Sequence, residues 1–468
     1  MILRCLPKNN ITDYNMITSN DELLVPALMD VVRLFPEAEQ LDIAHETDVR
    51  GAAFCNIFRI GVREYGYEHF SEGFADRNSL IKRYAKLALY ELLSELFHKD
   101  LPWGSLTGIR PTRLAYMQLE RGEDFTPLFR QLRVSEENIG LVRRVIEGQE
   151  GIYERKEGNC DLYVSLPFCP TKCVYCSFVT APIDKTRQYV EAYLTALERE
   201  IEAVKPLIKR LRSVYIGGGT PFVLETAQLE RVLKAVAPLL NGQEFTVEAG
   251  RADVFTKEKL QLCKDYGVTR LCINAQSFSD KTLERIGRKH TARQVEEAFE
   301  MAAPYAFTLN CDLIAGLTDE REEEFCASVD KAIALAPENI TVHTLCLKKG
   351  AQLKEETQML AEGSLTEMIA YSRKTLAAAG YGPYYLYRQK YMAGAHENVG
   401  WTKKGFASVY NIDVMEESAD NLAVGANAIG KRVNLRAESI ERLASPKDIV
   451  TYLGKVDKLI EERRKLFG

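Results

Sequence analysis

A chain of 468 residues, 46% of them hydrophobic, exceeds one ordinary domain and carries enough apolar material for a large core with at least one appended unit. A net charge of -5 supplies no global basic field for holding nucleic acid, and no stretch approaches the roughly 18 uninterrupted apolar residues of a membrane span. Met1 to Asn10 lack an apolar signal region, so a cytoplasmic protein is expected, and there 11 cysteines, an odd number, read as metal ligands or small buried hydrophobes, not a disulfide framework.

Residues 1–155 are read as an N-terminal α+β domain of unassigned role. Ile2 to Leu6 and Ala52 to Val62 have strand character, and Asn78 to Phe97 repeats apolar residues at helical spacing through Ile81, Tyr84, Leu87, Leu89, Leu92, Leu93 and Leu96. Gly and Pro punctuate a loop from Pro102 to Thr112, in which Arg110 reads as a surface or interdomain contact ahead of an anion anchor. Helices over Arg113 to Arg121 and Ser135 to Tyr153 lead to the charged run Glu154 to Gly158, where the domain boundary is placed.

From Asp161 the pattern turns to strand, loop and helix in alternation, which favours a parallel sheet covered by helices. Strands are expected at Leu162 to Leu166, Ser213 to Ile216, Glu244 to Glu248, Arg270 to Asn274, Thr308 to Ile314 and Ile340 to Leu345. Helices are expected between them, at Arg187 to Ile208, Leu229 to Leu240, Lys257 to Tyr266, Arg293 to Ala303 and Glu320 to Leu335. The spacing suits an open (β/α)6 partial barrel over residues 156–350, with chemistry beyond the C-terminal strand ends, where the loops converge.

Directly behind the first strand, Cys169, Cys173 and Cys176 form a C-x3-C-x2-C arrangement. Four thiolates close a zinc or ferredoxin-type site, whereas three leave one iron of a [4Fe-4S] cluster open to a small molecule. The alternative is a zinc knuckle with a fourth ligand such as Cys160. The three cysteines, with Tyr175 just before the third and Tyr163 six residues before the first, resemble the radical S-adenosylmethionine (SAM) enzymes. Within them, Y-x5-C-x3-C-x-Y-C resembles the branch containing oxygen-independent coproporphyrinogen III oxidase, here in a long form with an extra N-terminal domain. The resemblance implies a [4Fe-4S] cluster on the three cysteines, SAM at its open iron and Tyr163 in the SAM site and in catalysis.

The later motifs are weaker alone than in combination. Gly217-Gly-Gly-Thr-Pro221 by itself is a tight turn; about 40 residues after the cysteine loop it resembles the family's glycine-rich SAM motif, which implies cofactor contacts by Gly218, Gly219 and Thr220, beside Tyr175. Glu248 closes the third strand, where a satisfied strand-end carboxylate and a SAM contact are the two readings, and the resemblance implies the second. Gln276, with Arg288 twelve residues on, matches the family's SAM-pocket pair, and a guanidinium suits the methionyl carboxylate. Asp312 in Asp-Leu-Ile-Ala-Gly-Leu resembles the fifth-strand signature, with Thr318 where proline is usual, and suits ribose hydroxyls. His290 and Lys289 read as loop residues, and His343 either touches substrate or is structural.

Residues 351–468 read as a C-terminal extension. Tyr381 to Tyr391 is an aromatic and basic cluster including Arg388 and Lys390, suited to a flat macrocycle with carboxylates or to a packed linker, and Val424 to Gly430 resembles a small-residue segment of the same family. What the resemblance implies is SAM-dependent oxidative decarboxylation of coproporphyrinogen III to protoporphyrinogen IX in heme biosynthesis. A 5'-deoxyadenosyl radical would take hydrogen from a propionate β-carbon, Arg388 would meet the porphyrinogen substrate, and a flavodoxin or ferredoxin would donate the electron. Two alternatives stand beside it. One is the heme chaperone branch, whose H-N-x-x-Y-W motif is only partly echoed by His396-Glu397-Asn-Val-Gly400-Trp401; the other is a non-enzymatic iron-sulfur protein.

Overall fold

The computed structural model describes residues 17–71, 77–108, 110–176, 181–346, 362–389, 393–435 and 437–468. The strand expected at Ile2 to Leu6, Cys5 and Lys390 lie outside them. Two compact units are present, one of residues 17–108 and 122–140, the other of residues 110–121 and 141–468.

In the first unit, β1 (Ile17–Ser19), β2 (Ile43–Arg50), β3 (Ala53–Ile60) and β4 (Arg63–Phe70) form a sheet in sequence order, parallel at β1–β2 and antiparallel after it. Leu28, Val31 and Val32 of helix Val25–Val32 meet Leu89, Leu92 and Leu93 of helix Arg77–Phe97 and Phe58 of β3 in one buried cluster. Helix Arg77–Phe97 follows the apolar spacing read from the sequence, because those side chains are its buried face. Strands β2 and β4 were not foreseen: Glu46, Asp48 and Arg50 of β2 and Arg63, Glu64 and Glu68 of β4 are exposed and charged, so the segments carry little apolar signal.

The second unit is built on one sheet. Strands β5 (Asn159–Leu166), β8 (Arg210–Gly218), β9 (Glu244–Gly250), β10 (Arg270–Gln276), β11 (Thr308–Ala315) and β12 (Asn339–Thr344) pair in that order, all parallel, while β6 (Phe168–Cys169) and β7 (Ala181–Pro182) make a short separate ladder. The crossover helices Val190–Val204, Thr226–Val236, Lys257–Asp265, Ala292–Ala302 and Glu322–Ala334 bury apolar stripes, which is the partial TIM-like α/β barrel. Their starts are chemical. Thr256 caps one through Lys259 N (3.3 Å), and Thr291 with Gln294 forms a capping box on the next.

The C-terminal residues extend this sheet at both edges. β14 (Asn398–Thr402) runs antiparallel to β12, with β13 (Gly382–Tyr387) antiparallel outside it. At the other edge β15 (Asp420–Val424) lies parallel to β5 and carries the hairpin β16 (Ile429–Asn434) and β17 (Ser439–Ala444). The tyrosine-rich cluster is therefore largely a strand, with Tyr384 and Tyr385 buried. Among the described residues no helix is long and apolar enough to cross a membrane.

Candidate active site at the C-terminal ends of the barrel strands

The cysteine loop leaves β5 at Leu166 and is anchored at several points. Cys169 sits in the β6–β7 ladder, Thr220 Oγ1 donates to its Sγ (3.5 Å), Val174 N donates to Ile286 O (3.1 Å), and Cys176 N turns back onto Cys173 O (3.1 Å). The glycine-rich loop runs against it. Gly219 N donates to Leu166 O and Thr220 N to Phe168 O, both at 2.7 Å, and a Cβ on Gly219 would lie 2.4 Å from Phe168 O. Glycine is required there because the two backbones touch. The three thiols share one loop, yet among the described residues no three Cys, His, Asp or Glu side chains stand together as a metal site. Cys160 lies at the far end of β5, about 20 Å of strand from Leu166, and burial pushes its thiol up to about 12. It is no fourth ligand, so a zinc knuckle closed by Cys160 is removed.

Beside the loop, the ends of β9 and β10 gather polar groups. Glu248 accepts from Gly218 N and from Asn274 Nδ2, each at 3.3 Å. Desolvation, and then the charge of Asp312, push its carboxyl up to about 7 against those two hydrogen bonds. Gln276 ends β10 with φ of 70°, a left-handed conformation unusual for glutamine, and its Oε1 is buried without a partner, as is Asn274 Oδ1. Arg288 is buried: NH1 donates to Asn274 O, NH2 to Tyr175 OH (3.2 Å), and the guanidinium reaches Cys173. Its Nε has no partner, so a donor remains there for an incoming anion.

A ring of partly exposed side chains continues from this corner around strands that are otherwise buried at that depth. Tyr163 of β5, Tyr215 of β8, Glu248 of β9, Asp312 of β11, His343 of β12 and Tyr387 of β13 each retain exposure between buried neighbours. Such a pattern marks the wall of a cavity open to water inside the barrel. Tyr163 and Tyr215 stack with centroids 6.1 Å apart, and Tyr410 covers both, at 6.2 and 4.5 Å. Opposite them, His343 Nε2 is 3.9 Å from Asp312 Oδ2 and its Nδ1 is 3.2 Å from Tyr387 OH. Burial resists ionisation of Asp312, but hydrogen bonds from His343, Asn310 and Thr341 hold it below the usual carboxylate range. Desolvation and the charge of Glu248 push the Tyr163 phenol up, so it remains protonated.

Tyr175, Gly219, Thr220 and Arg288 are thus brought to the cysteine loop, Gly218 and Glu248 meet beside it, Asp312 lies near Glu248 with Tyr163 on the same ring of strands, and Gln276 ends the strand of Asn274. Arg388 is placed apart, buried beyond β13 with NH2 on Ala395 O (2.8 Å); burial draws it down to about 10, opposed by Glu397. His290 stands in a loop, as read from the sequence, but is buried there with Nδ1 3.6 Å from Asp253. Asn274, Tyr215, Tyr410 and Arg251 were missed. For Asn274 the alternation Cys272, Asn274, Gln276 in an apolar strand was the available signal, whereas Tyr410 arrives from a helix nearly two hundred residues further along the chain than its partner Tyr215.

This architecture, a parallel partial barrel with a three-cysteine loop at the C-terminal end of its first strand, is that of the radical SAM superfamily, whose sequence profile matches residues 163–332. The chain belongs to the oxygen-independent coproporphyrinogen-III oxidase-like family within it. A relative from Bacillus subtilis, the oxygen-independent coproporphyrinogen-III oxidase-like protein HemZ, is 31% identical over 95% of this chain and 96% of its own length. The heme chaperone HemW of Lactococcus lactis is 31% identical over 59% of this chain and 71% of its own. In fold, coproporphyrinogen III oxidase (HemN) from Escherichia coli superposes with a TM-score of 0.53 at 21% identity, covering 69% of this chain and 73% of that one.

The cofactors are therefore a [4Fe-4S] cluster and SAM. The residues present fit both. Three thiols on one anchored loop, with the Arg288 guanidinium against Cys173, match a cluster with an open iron. The partnerless Gln276 Oε1, Asn274 Oδ1 and Arg288 Nε, around a carboxyl poised near neutrality, match the ammonium and carboxylate of an amino-acid moiety.

Proposed function

We propose that this protein catalyses oxygen-independent oxidative decarboxylation of coproporphyrinogen III to protoporphyrinogen IX, with a flavodoxin- or ferredoxin-type protein as electron donor. When bound, the cluster and SAM supply hydrogen-atom abstraction. The observation that carries the reading is the ring of partly exposed side chains inside the barrel. Its Tyr163, Tyr215 and Tyr410 wall offers aromatic faces to the pyrrole rings of a flexible porphyrinogen. Glu248, Asn274, Gln276 and Arg288 would hold the amino-acid part of SAM in the adjoining corner, and the ionised Asp312 would accept from its ribose hydroxyls. A substrate filling the barrel cavity would displace its water and so keep stray hydrogen donors from the reacting carbon. Arg388 is the proposed partner of a substrate carboxylate, which requires its side chain to leave Ala395 O.

A second reading, heme handling without oxidation, draws on the similarity to HemW. Against it, His396 is buried with Nε2 3.0 Å from Thr366, Glu397 is buried on Arg373 (2.5 Å), and Trp401 lies within β14 between Ile340 and Pro383. Side chains so placed do not present ligands to a heme. The test is anaerobic: reconstituted protein, SAM, a donor and coproporphyrinogen III, with vinyl product followed by chromatography beside a heme titration. Protoporphyrinogen IX formation is expected; tight heme binding with no decarboxylation, while the same donor drives SAM cleavage, would overturn the proposal.

A further inference from the structure

Arg251 stands just past β9, three residues beyond Glu248, with its side chain 2% exposed. A buried guanidinium is costly unless its charge is matched and its donors used. Here Nε and NH2 form a fork on Asp253, at 2.9 and 2.7 Å, and NH1 donates to Thr171 Oγ1 at 2.5 Å. Thr171 lies between Cys169 and Cys173, and its hydroxyl passes the bond on, donating to Gly287 O at 3.2 Å, one residue before Arg288. One guanidinium and one hydroxyl therefore join the end of β9, the cysteine loop and the turn that carries Arg288. His290 backs the arrangement against Asp253, which Arg251 and His290 hold ionised although burial opposes it.

We propose that Arg251 is a positioning residue for the cysteine loop, setting the separation of Cys169 and Cys173 from Glu248 and Arg288 through Thr171. The proposal rests on the reading of that loop as the holder of the cluster. It acts through Thr171: its described side-chain bonds go to Asp253 and Thr171 and to no thiol. The two parts make a bridge, since Thr171 is an acceptor for Arg251 and a donor to Gly287 O, and losing either end releases the same segment.

The test uses full-length Arg251→Gln, Arg251→Lys, Thr171→Val and the double variant Arg251→Gln/Thr171→Val. In cluster-free protein, hydrogen exchange of peptides spanning residues 168–176 should quicken about tenfold in Arg251→Gln and in Thr171→Val, with helix Val190–Val204 unchanged and Arg251→Lys in between. After reconstitution, SAM affinity, read from the SAM-induced change in the electron paramagnetic resonance signal of the reduced cluster, should fall about tenfold in each single variant. The double variant should lose no more than either single one. Unaltered exchange in both single variants, or losses that multiply in the double variant, would overturn the proposal. Thr171→Val leaves the Arg251–Asp253 pair intact, so it decides alone if Arg251→Gln does not fold. The exchange arm is independent of substrate: a protein that binds SAM through this loop but leaves coproporphyrinogen untouched would refute the function and leave the positioning role standing.

Discussion

In the SAM-free protein Glu248 holds its proton up to about pH 7, because desolvation and the neighbouring Asp312 charge outweigh the bonds from Gly218 N and Asn274. A folded-state value above the ordinary 4.5 means that the folded chain binds this proton more tightly than the unfolded one. The stabilisation is complete below pH 4.5 and is lost as pH rises through about 7, up to about 3 kcal/mol at 1.36 kcal/mol per pH unit. SAM is a cation with an ammonium group, so it selects the ionised carboxylate. Its affinity should tighten by up to about tenfold per pH unit below 7 and level off above. Glu248→Gln keeps the shape and an acceptor but no charge. Its SAM affinity should be flat from pH 6 to 8 and, at pH 8, about 10- to 150-fold weaker than wild type, the worth of a hydrogen bond to a charged group at about 1.5–3 kcal/mol. Isothermal titration of anaerobically reconstituted protein across that range measures both. Wild-type and Gln profiles that coincide would refute the assignment of Glu248 to SAM.

Replacing Cys169, Cys173 or Cys176 by alanine should abolish both the cluster and 5'-deoxyadenosine formation; a variant that keeps full iron content and SAM cleavage would remove that residue from the ligand set. Arg288→Ala should weaken SAM binding by about 1.5–3 kcal/mol while cluster absorbance persists, and unchanged affinity would count against the partnerless Nε as an anion donor. Arg463→Ala strips the partner from fully buried Glu200, which also accepts from Gly425 N (2.8 Å) and Tyr452 OH (2.7 Å), and should cost about 3–5 kcal/mol in denaturant unfolding. A loss below about 1 kcal/mol would show that the C-terminal helix Val456–Phe467 is not held by that pair.

How much was legible follows from where each signal resides. The six parallel strands are buried along most of their length, so apolar residues dominate them, and Thr256 and Thr291 mark helix starts within a few residues of their own sequence. The cysteine spacing is likewise local chemistry. Non-local facts had no such trace. That β13, β14 and β15 would complete the sheet at its two edges depends on pairings distant in sequence, Trp401 with Ile340 and Asp420 with Cys160, and a tyrosine-rich segment is equally a strand or a binding surface until its neighbours are known.

Sequence by itself determined the class of chemistry, because three thiols at fixed spacing and the polar residues that end successive strands are properties of short segments. Only the tertiary structure decided which groups act on one another. Glu248 is poised near neutrality because folding desolvates it and sets it near Asp312, two strands away in the sheet, and Arg251 meets the cysteine loop because an arginine at the end of β9 reaches a threonine 80 residues earlier in the chain. Desolvation and mutual charge depend on the dielectric and geometry that folding creates, and no residue carries them in the unfolded chain.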